Sequence, residues 1–106
     1  MDKIITKHAY KRIKERCGLK KKAVEKLMLD LERDGVSRED TTCRLRGYLD
    51  HIYQESGEVM SLVLHRGYVF LFSKEDDILV TVWGVPNEYK KQALAQEKRR
   101  EEGINR

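Results

Sequence analysis

The sequence predicts an α+β domain, with N-terminal helices packed on a three-stranded antiparallel meander sheet and a charged helix at the C-terminus. Three observations lead there. Apolar residues recur at helical spacing as far as about residue 55, then give way to runs of strand formers. The links between those runs, Arg66-Gly67 and Lys74-Glu75-Asp76-Asp77, are so short that successive strands must be antiparallel. The chain has 106 residues, 40% hydrophobic and 38% charged, which suits one modest core. The domain is expected over residues 1–96, with 97–106 as a charged tail that frays.

Lys3-Ile4-Ile5 reads as a short extended lead-in. Thr6 suits an N-cap because its hydroxyl can accept from an orphan helix N–H, and Gly18 suits the stop. Leu19 to Asp34 reads as a second helix, with Ala23, Val24, Leu27, Met28 and Leu31 on its apolar stripe and Gly35 ending it. Residues 36–40 form a connector. A third helix covers Thr42 to Glu55, with Leu45, Tyr48, Leu49, Ile52 and Tyr53 inward and Gly57 just past its end. Strands follow at Val59–His65, Tyr68–Ser73 and Ile78–Trp83. They are apolar on both faces, so the helices are expected to cover one face and the C-terminal segment, a partner or a substrate part of the other. Pro86 suits the start of a last helix near Asn87–Glu97.

The first helix carries the candidate chemistry. Residues four apart drift by only about 40° around a helix, so His8, Arg12 and Arg16 share a face. Ala9, Tyr10, Ile13 and Cys17 occupy the adjoining core arc. An imidazole and two fixed cations along the seam between core and solvent can hold a phosphate beside an acid–base group. The helix N-terminus favours a bound anion there. The same residues also read as a plain solvated basic face.

Net charge is +4, and its distribution is uneven: residues 1–22 hold nine Lys/Arg against two acids, so the remaining 84 residues sum to −3. That concentration points to a polyanion partner. Lys7, Lys11 and Lys20 would extend the basic face, and Arg44, Lys90 and Lys91 are further candidates for nucleic-acid contact. Thr81, flanked by Leu79-Val80 and Val82-Trp83, is either a locally satisfied strand former or a hydroxyl aimed at a phosphate oxygen. Cys17 and Cys43 lack paired spacing, so neither a metal site nor a disulfide is expected, and no cofactor is implied. No apolar run is long enough to span a membrane, and no apolar signal region precedes the first helix. The expected location is the cytoplasm.

With this order of elements, Thr6, His8, Ala9, Arg12 and Arg16 form a T-x-H-A-x-x-R-x-x-x-R helix. Leu79, Val80, Thr81 and Val82 close the last strand as a hydrophobic-hydrophobic-Thr-hydrophobic run. In both motifs the chain resembles the barnase–EndoU–colicin–RelE-like group of small nuclease and toxin domains, and small bacterial and phage-borne domains within it. The resemblance implies a metal-independent ribonuclease: a base takes the 2′-OH proton, the oxygen attacks the adjacent phosphate, and an acid protonates the leaving 5′-oxygen. It also implies His8 as acid or base, Arg12 and Arg16 as phosphate clamp, Thr81 as positioning hydroxyl and His65 as a second acid–base group. RNA and an antitoxin or immunity protein are the implied partners. The sequence departs from ribosome-dependent RelE-type toxins, whose Arg, Lys or Tyr come from the sheet and final helix. Tyr68, Lys90 and Lys91 lie in those regions, but no motif assigns them. The alternatives are a non-catalytic nucleic-acid-binding module using the basic face, and a phage or mobile-element interaction protein whose apolar sheet face meets a partner.

Overall fold

The computed structural model describes residues 4–75 and 77–104; Lys3 and Asp76, named above, lie outside them. The described chain runs β1 (Ile4–Ile5), α1 (Lys7–Cys17), α2 (Lys21–Asp34), β2 (Val36–Ser37), a 3-10 turn (Arg38–Asp40), α3 (Cys43–Glu55), β3 (Met60–His65), β4 (Tyr68–Ser73), β5 (Ile78–Gly84) and α4 (Asn87–Ile104). The class is α+β. The described sheet has five strands, however, ordered β1-β5-β4-β3-β2. The expected meander β3-β4-β5 is its centre. β2 adds an antiparallel strand through Val36↔Leu64 and Ser37↔Val63. β1 adds a parallel one through Ile4↔Ile78 and Ile5↔Leu79. Both additions are two residues long, too short to show a period in the sequence.

The helices cover both faces rather than one. Ala9 and Ile13 of α1, with Val24, Leu27 and Leu31 of α2, pack on Phe70, Phe72, Leu79 and Val82. Leu45 and Leu49 of α3, with Ala93 of α4, pack on Val36, Leu62, Leu64 and Val69. Successive side chains of β4 therefore enter opposite cores, the reason its apolar run does not alternate with polar residues.

The α1 boundaries follow the expected caps. Thr6 Oγ1 accepts from Ala9 N–H at 3.1 Å. Gly18, at φ +67°, returns its N–H to Lys14 O at 3.1 Å, a backbone conformation that costs a β-carbon residue dearly. Gly35 has a different task. A β-carbon there would lie 2.5 Å from both Leu31 O and Val63 Cγ1, so only glycine lets α2 pass straight into β2. In the β3–β4 hairpin, Arg66 and Gly67 both have positive φ, the primed turn that matches strand twist. Glu97 of α4 accepts from the Arg66 N–H and, at 3.2 Å, from the Gly67 N–H. Glu97 is thus tied to the sheet, and the helix continues past it to Ile104.

Helix α3 has no side-chain cap of its own. Its N-terminus docks on α4: Gln96 Oε1 accepts from Thr42 N–H at 3.0 Å, Gln96 Nε2 donates to Thr42 O at 3.1 Å, and Gln92 Oε1 accepts from Leu45 N–H at 3.0 Å. Gln96 is buried. Replacing it by leucine keeps the volume and removes both bonds to Thr42, and is expected to cost about 1–3 kcal/mol. A thermal unfolding scan reads this as a lowered Tm, and an unchanged Tm would show that the α3–α4 junction does not depend on these bonds.

Candidate functional site

Helix α1 lies along the outer edge of β5. Among the described residues, β1 pairs with β5 only at Ile78 and Leu79, and no strand adds on that side from Val80 onward. The helix satisfies the open edge with its own polar groups. Thr6 N–H donates to Leu79 O at 3.1 Å, Thr6 Oγ1 to Val80 O at 3.4 Å, and Arg16 Nη1 to Val82 O at 2.9 Å. Edge carbonyls covered in this way cannot template pairing with another chain. Ala9 and Ile13 face the core, and one step round the helix the row His8, Arg12, Arg16 follows the strand edge.

Within that row Arg12 Nε approaches His8 Nε2 at 3.5 Å, a long hydrogen bond with the guanidinium donating. Arg12 Nη1 lies 3.6 Å from Glu15 Oε2, and Lys11 Nζ 3.9 Å from Glu15 Oε1. Glu15 is the one carboxylate of a helix with five cations: Lys7, Lys11, Arg12, Lys14 and Arg16. His8, Lys7, Lys11, Lys14 and Arg16 are exposed, and Arg12 is half-buried. Lys20, also exposed, stands just beyond the helix. This surface can receive a run of phosphates, with an imidazole among the cations.

The remaining sequence-predicted residues are distributed differently. Thr81 does not share a sheet face with α1. Leu71 opposes Thr81 while Phe72 opposes Leu79, so Val80 is an extra residue, a bulge. Strict alternation from the buried Leu79 would place Thr81 beside α1; the bulge turns it to the α3/α4 face, with Leu71 and Trp83. Thr81 meets the row only around the strand edge, where the two carbonyls that α1 holds, Val80 O and Val82 O, flank it.

His65 is also apart. It stands opposite Tyr68 and lines a cavity of about 170 Å³ with Cys17, Leu19, Leu27, Arg66, Tyr68 and Phe70. Cys17 closes the far end of α1, nine residues or about 13 Å of helix rise from His8, so the cavity that His65 lines opens at the opposite end of the helix from His8. Burial raises the Cys17 thiol, partly offset by its hydrogen bond with Tyr68. Burial lowers the imidazole of His65, with Arg66 adding to the effect and Glu97, Asp30 and Asp34 opposing it. Its Nε2 is buried without a hydrogen-bond partner. A base whose folded-state pKa is depressed contributes stability that is full above its unfolded value, near 6.5, and lost as pH falls through the folded value. Denaturant midpoints should therefore drop between pH 7.5 and 5.5, and His65→Gln should flatten that drop; an equal drop in both proteins would assign it to other groups.

Arg44, Lys90 and Lys91 are exposed on the α3/α4 layer, away from α1. Arg44 lies 4.0 Å from Glu88 and sits over the Tyr89 ring at 5.9 Å. Sequence reasoning overlooked the aromatic set beside it. Trp83 Nε1 donates to Tyr48 Oη at 2.9 Å, and Tyr48 stacks on Tyr89 with centroids 4.9 Å apart. Trp83 follows Thr81 by two residues on the strand, a spacing that signals a shared face, whereas Tyr48 read simply as part of a buried stripe. No helix among the described residues is long and apolar enough to cross a membrane. In comparisons with known proteins, no family model, no curated protein and no solved structure matches this chain.

Proposed function

We propose that the α1 seam binds an RNA phosphate backbone and that His8 makes the protein a metal-independent ribonuclease. The observation that carries this reading is the His8–Arg12–Arg16 row set along the edge of β5, with His8 and Arg16 exposed, Arg12 half-buried, and an imidazole and a guanidinium in contact. Arg12 and the free N–H groups of Arg16 hold the phosphate and the charge that develops on it. His8 takes the proton from the 2′-OH, the 2′-oxygen attacks phosphorus, and the same imidazolium returns a proton to the departing 5′-oxygen. The products are a 2′,3′-cyclic phosphate and a 5′-hydroxyl.

The test is incubation of single-stranded RNA with the protein in excess chelator. Cleavage with cyclic-phosphate ends is expected, while a 2′-O-methyl strand of the same sequence remains whole. Intact RNA at every protein concentration overturns the catalytic reading.

Binding without cleavage is the second reading. It is favoured by the placement of Thr81 on the other sheet face and of His65 in the cavity at the Cys17 end of α1, which leaves one imidazole at the row. Under either reading affinity falls with salt. For about four neutralised phosphates on a single strand, log K against log salt has a slope near −2.8, or about fifty-fold between 50 and 200 mM. A flat salt response would remove the polyanion partner altogether.

A further inference from the structure

We infer that the protein takes single-stranded RNA with its bases unstacked, and that Trp83 is the stacking platform for the base next to the phosphate held by α1. This rests on the phosphate-binding reading of α1. It also rests on a second feature that α1 does not share, a line of aromatic and cationic side chains on the other face of the sheet.

Arg16 reaches Val82 O, and Trp83 is the next residue, about 3.3 Å further along the strand. Because of the Val80 bulge, Thr81 and Trp83 emerge on the α3/α4 face. Both are half-buried, and Trp83 packs against the α3/α4 core. The indole N–H is bound to Tyr48 Oη at 2.9 Å, which fixes the ring plane. Tyr48 stacks on Tyr89, and the guanidinium of Arg44 lies over Tyr89. Taken from Arg16 through these contacts to Arg44, the order is cation, indole, phenol, phenol, cation.

A charged groove interleaved with aromatic faces is how single strands are held without sequence preference, since every base has a π-face. A duplex keeps its bases inside and offers no face to Trp83. The Thr81 hydroxyl, on the same side two residues before Trp83, is placed to hydrogen-bond a base edge. A strand running around the edge of β5 would set its phosphates on α1 and its bases on Trp83.

Trp83 is the one tryptophan in the chain, so its fluorescence reports this site alone. The probes are a 2′-O-methyl hexauridylate, which cannot be cleaved, an abasic strand of equal length, and a duplex. The hexauridylate should quench Trp83 saturably. The abasic strand should bind about tenfold more weakly and leave the emission unchanged, and the duplex should not quench. Trp83→Phe, which keeps a ring in the fold, should bind the hexauridylate only a few-fold more weakly, and Arg44→Gln should weaken it several-fold. If the abasic and base-bearing strands bind equally and the emission does not move, the stacking platform is wrong while phosphate binding by α1 stands. If neither strand binds, the reading of α1 fails, and this inference with it.

Discussion

Replacing Phe70 by alanine is expected to lower the unfolding free energy by about 3–5 kcal/mol, a large share of the roughly 5–15 kcal/mol typical of a domain. Phe70 is 1% exposed in β4, opposite Val63 and Val82, and belongs to the core that α1 and α2 share. The cost of a large-to-small change depends on how far the surroundings collapse into the space. Here collapse is hindered, because Phe70 already lines the cavity beside His65 and Tyr68, so truncation enlarges an existing void. The loss should fall near the upper end of that range. Phe70→Leu keeps most of the volume and should cost much less. Urea unfolding at pH 7.5 separates the cases: the midpoint should fall steeply for Phe70→Ala with little change in m. A loss below about 1 kcal/mol would mean that Phe70 is not at the centre of this core.

Much of this fold was legible from short-range signals. Thr6 and Gly18 bound α1 because a hydroxyl acceptor and a left-handed residue are needed at just those places. Tyr68–Ser73 is a strand over the expected residues, and the Arg66-Gly67 turn forces the antiparallel pairing that precedes it. The long-range features were not legible. Pairing of Ile4–Ile5 with Ile78–Leu79 joins residues 74 positions apart through a pattern two residues long. The N-terminus of α3 is capped by glutamines from α4, which no local motif around Thr42 records. The second helical layer was partly signalled, since strands apolar on both faces require two covers.

The candidate site divides along the same line. His8, Arg12 and Arg16 fall in one row because a single helix sets their spacing, and periodicity alone gives that. Thr81 was joined to them only by the resemblance, which fixes no register for β5. The bulge at Val80 is one extra residue in a run of good strand formers, Ile78-Leu79-Val80-Thr81-Val82, and has no compositional mark. A single inserted residue moved the predicted hydroxyl to the opposite face and brought Trp83 out with it. His65 keeps its expected strand position and lines the cavity at the Cys17 end of α1, a long-range placement that no local pattern around it records.

Substituting His8 by alanine should reduce RNA cleavage by about 10²–10⁴-fold, the range for a positioned acid–base group, with little effect on binding or on Tm. His8 is exposed and its neighbours Ala9 and Ile13 supply the packing, so the fold does not depend on the imidazole. The companion substitution is Arg12→Ala, because Arg12 also leaves the strand edge untouched. Arg16→Ala would uncover Val82 O and confound binding with structure. Arg12→Ala removes a phosphate contact, so the salt slope on the uncleavable strand should shrink by about 0.7, and affinity should fall across all sequences alike. The two readings of α1 then separate cleanly. A catalytic His8 gives a protein that still binds the 2′-O-methyl strand with near-native affinity but no longer cuts RNA. If His8→Ala cuts as well as the native chain, the cutting belongs to another group or to a contaminant, and α1 is left as a binding face alone.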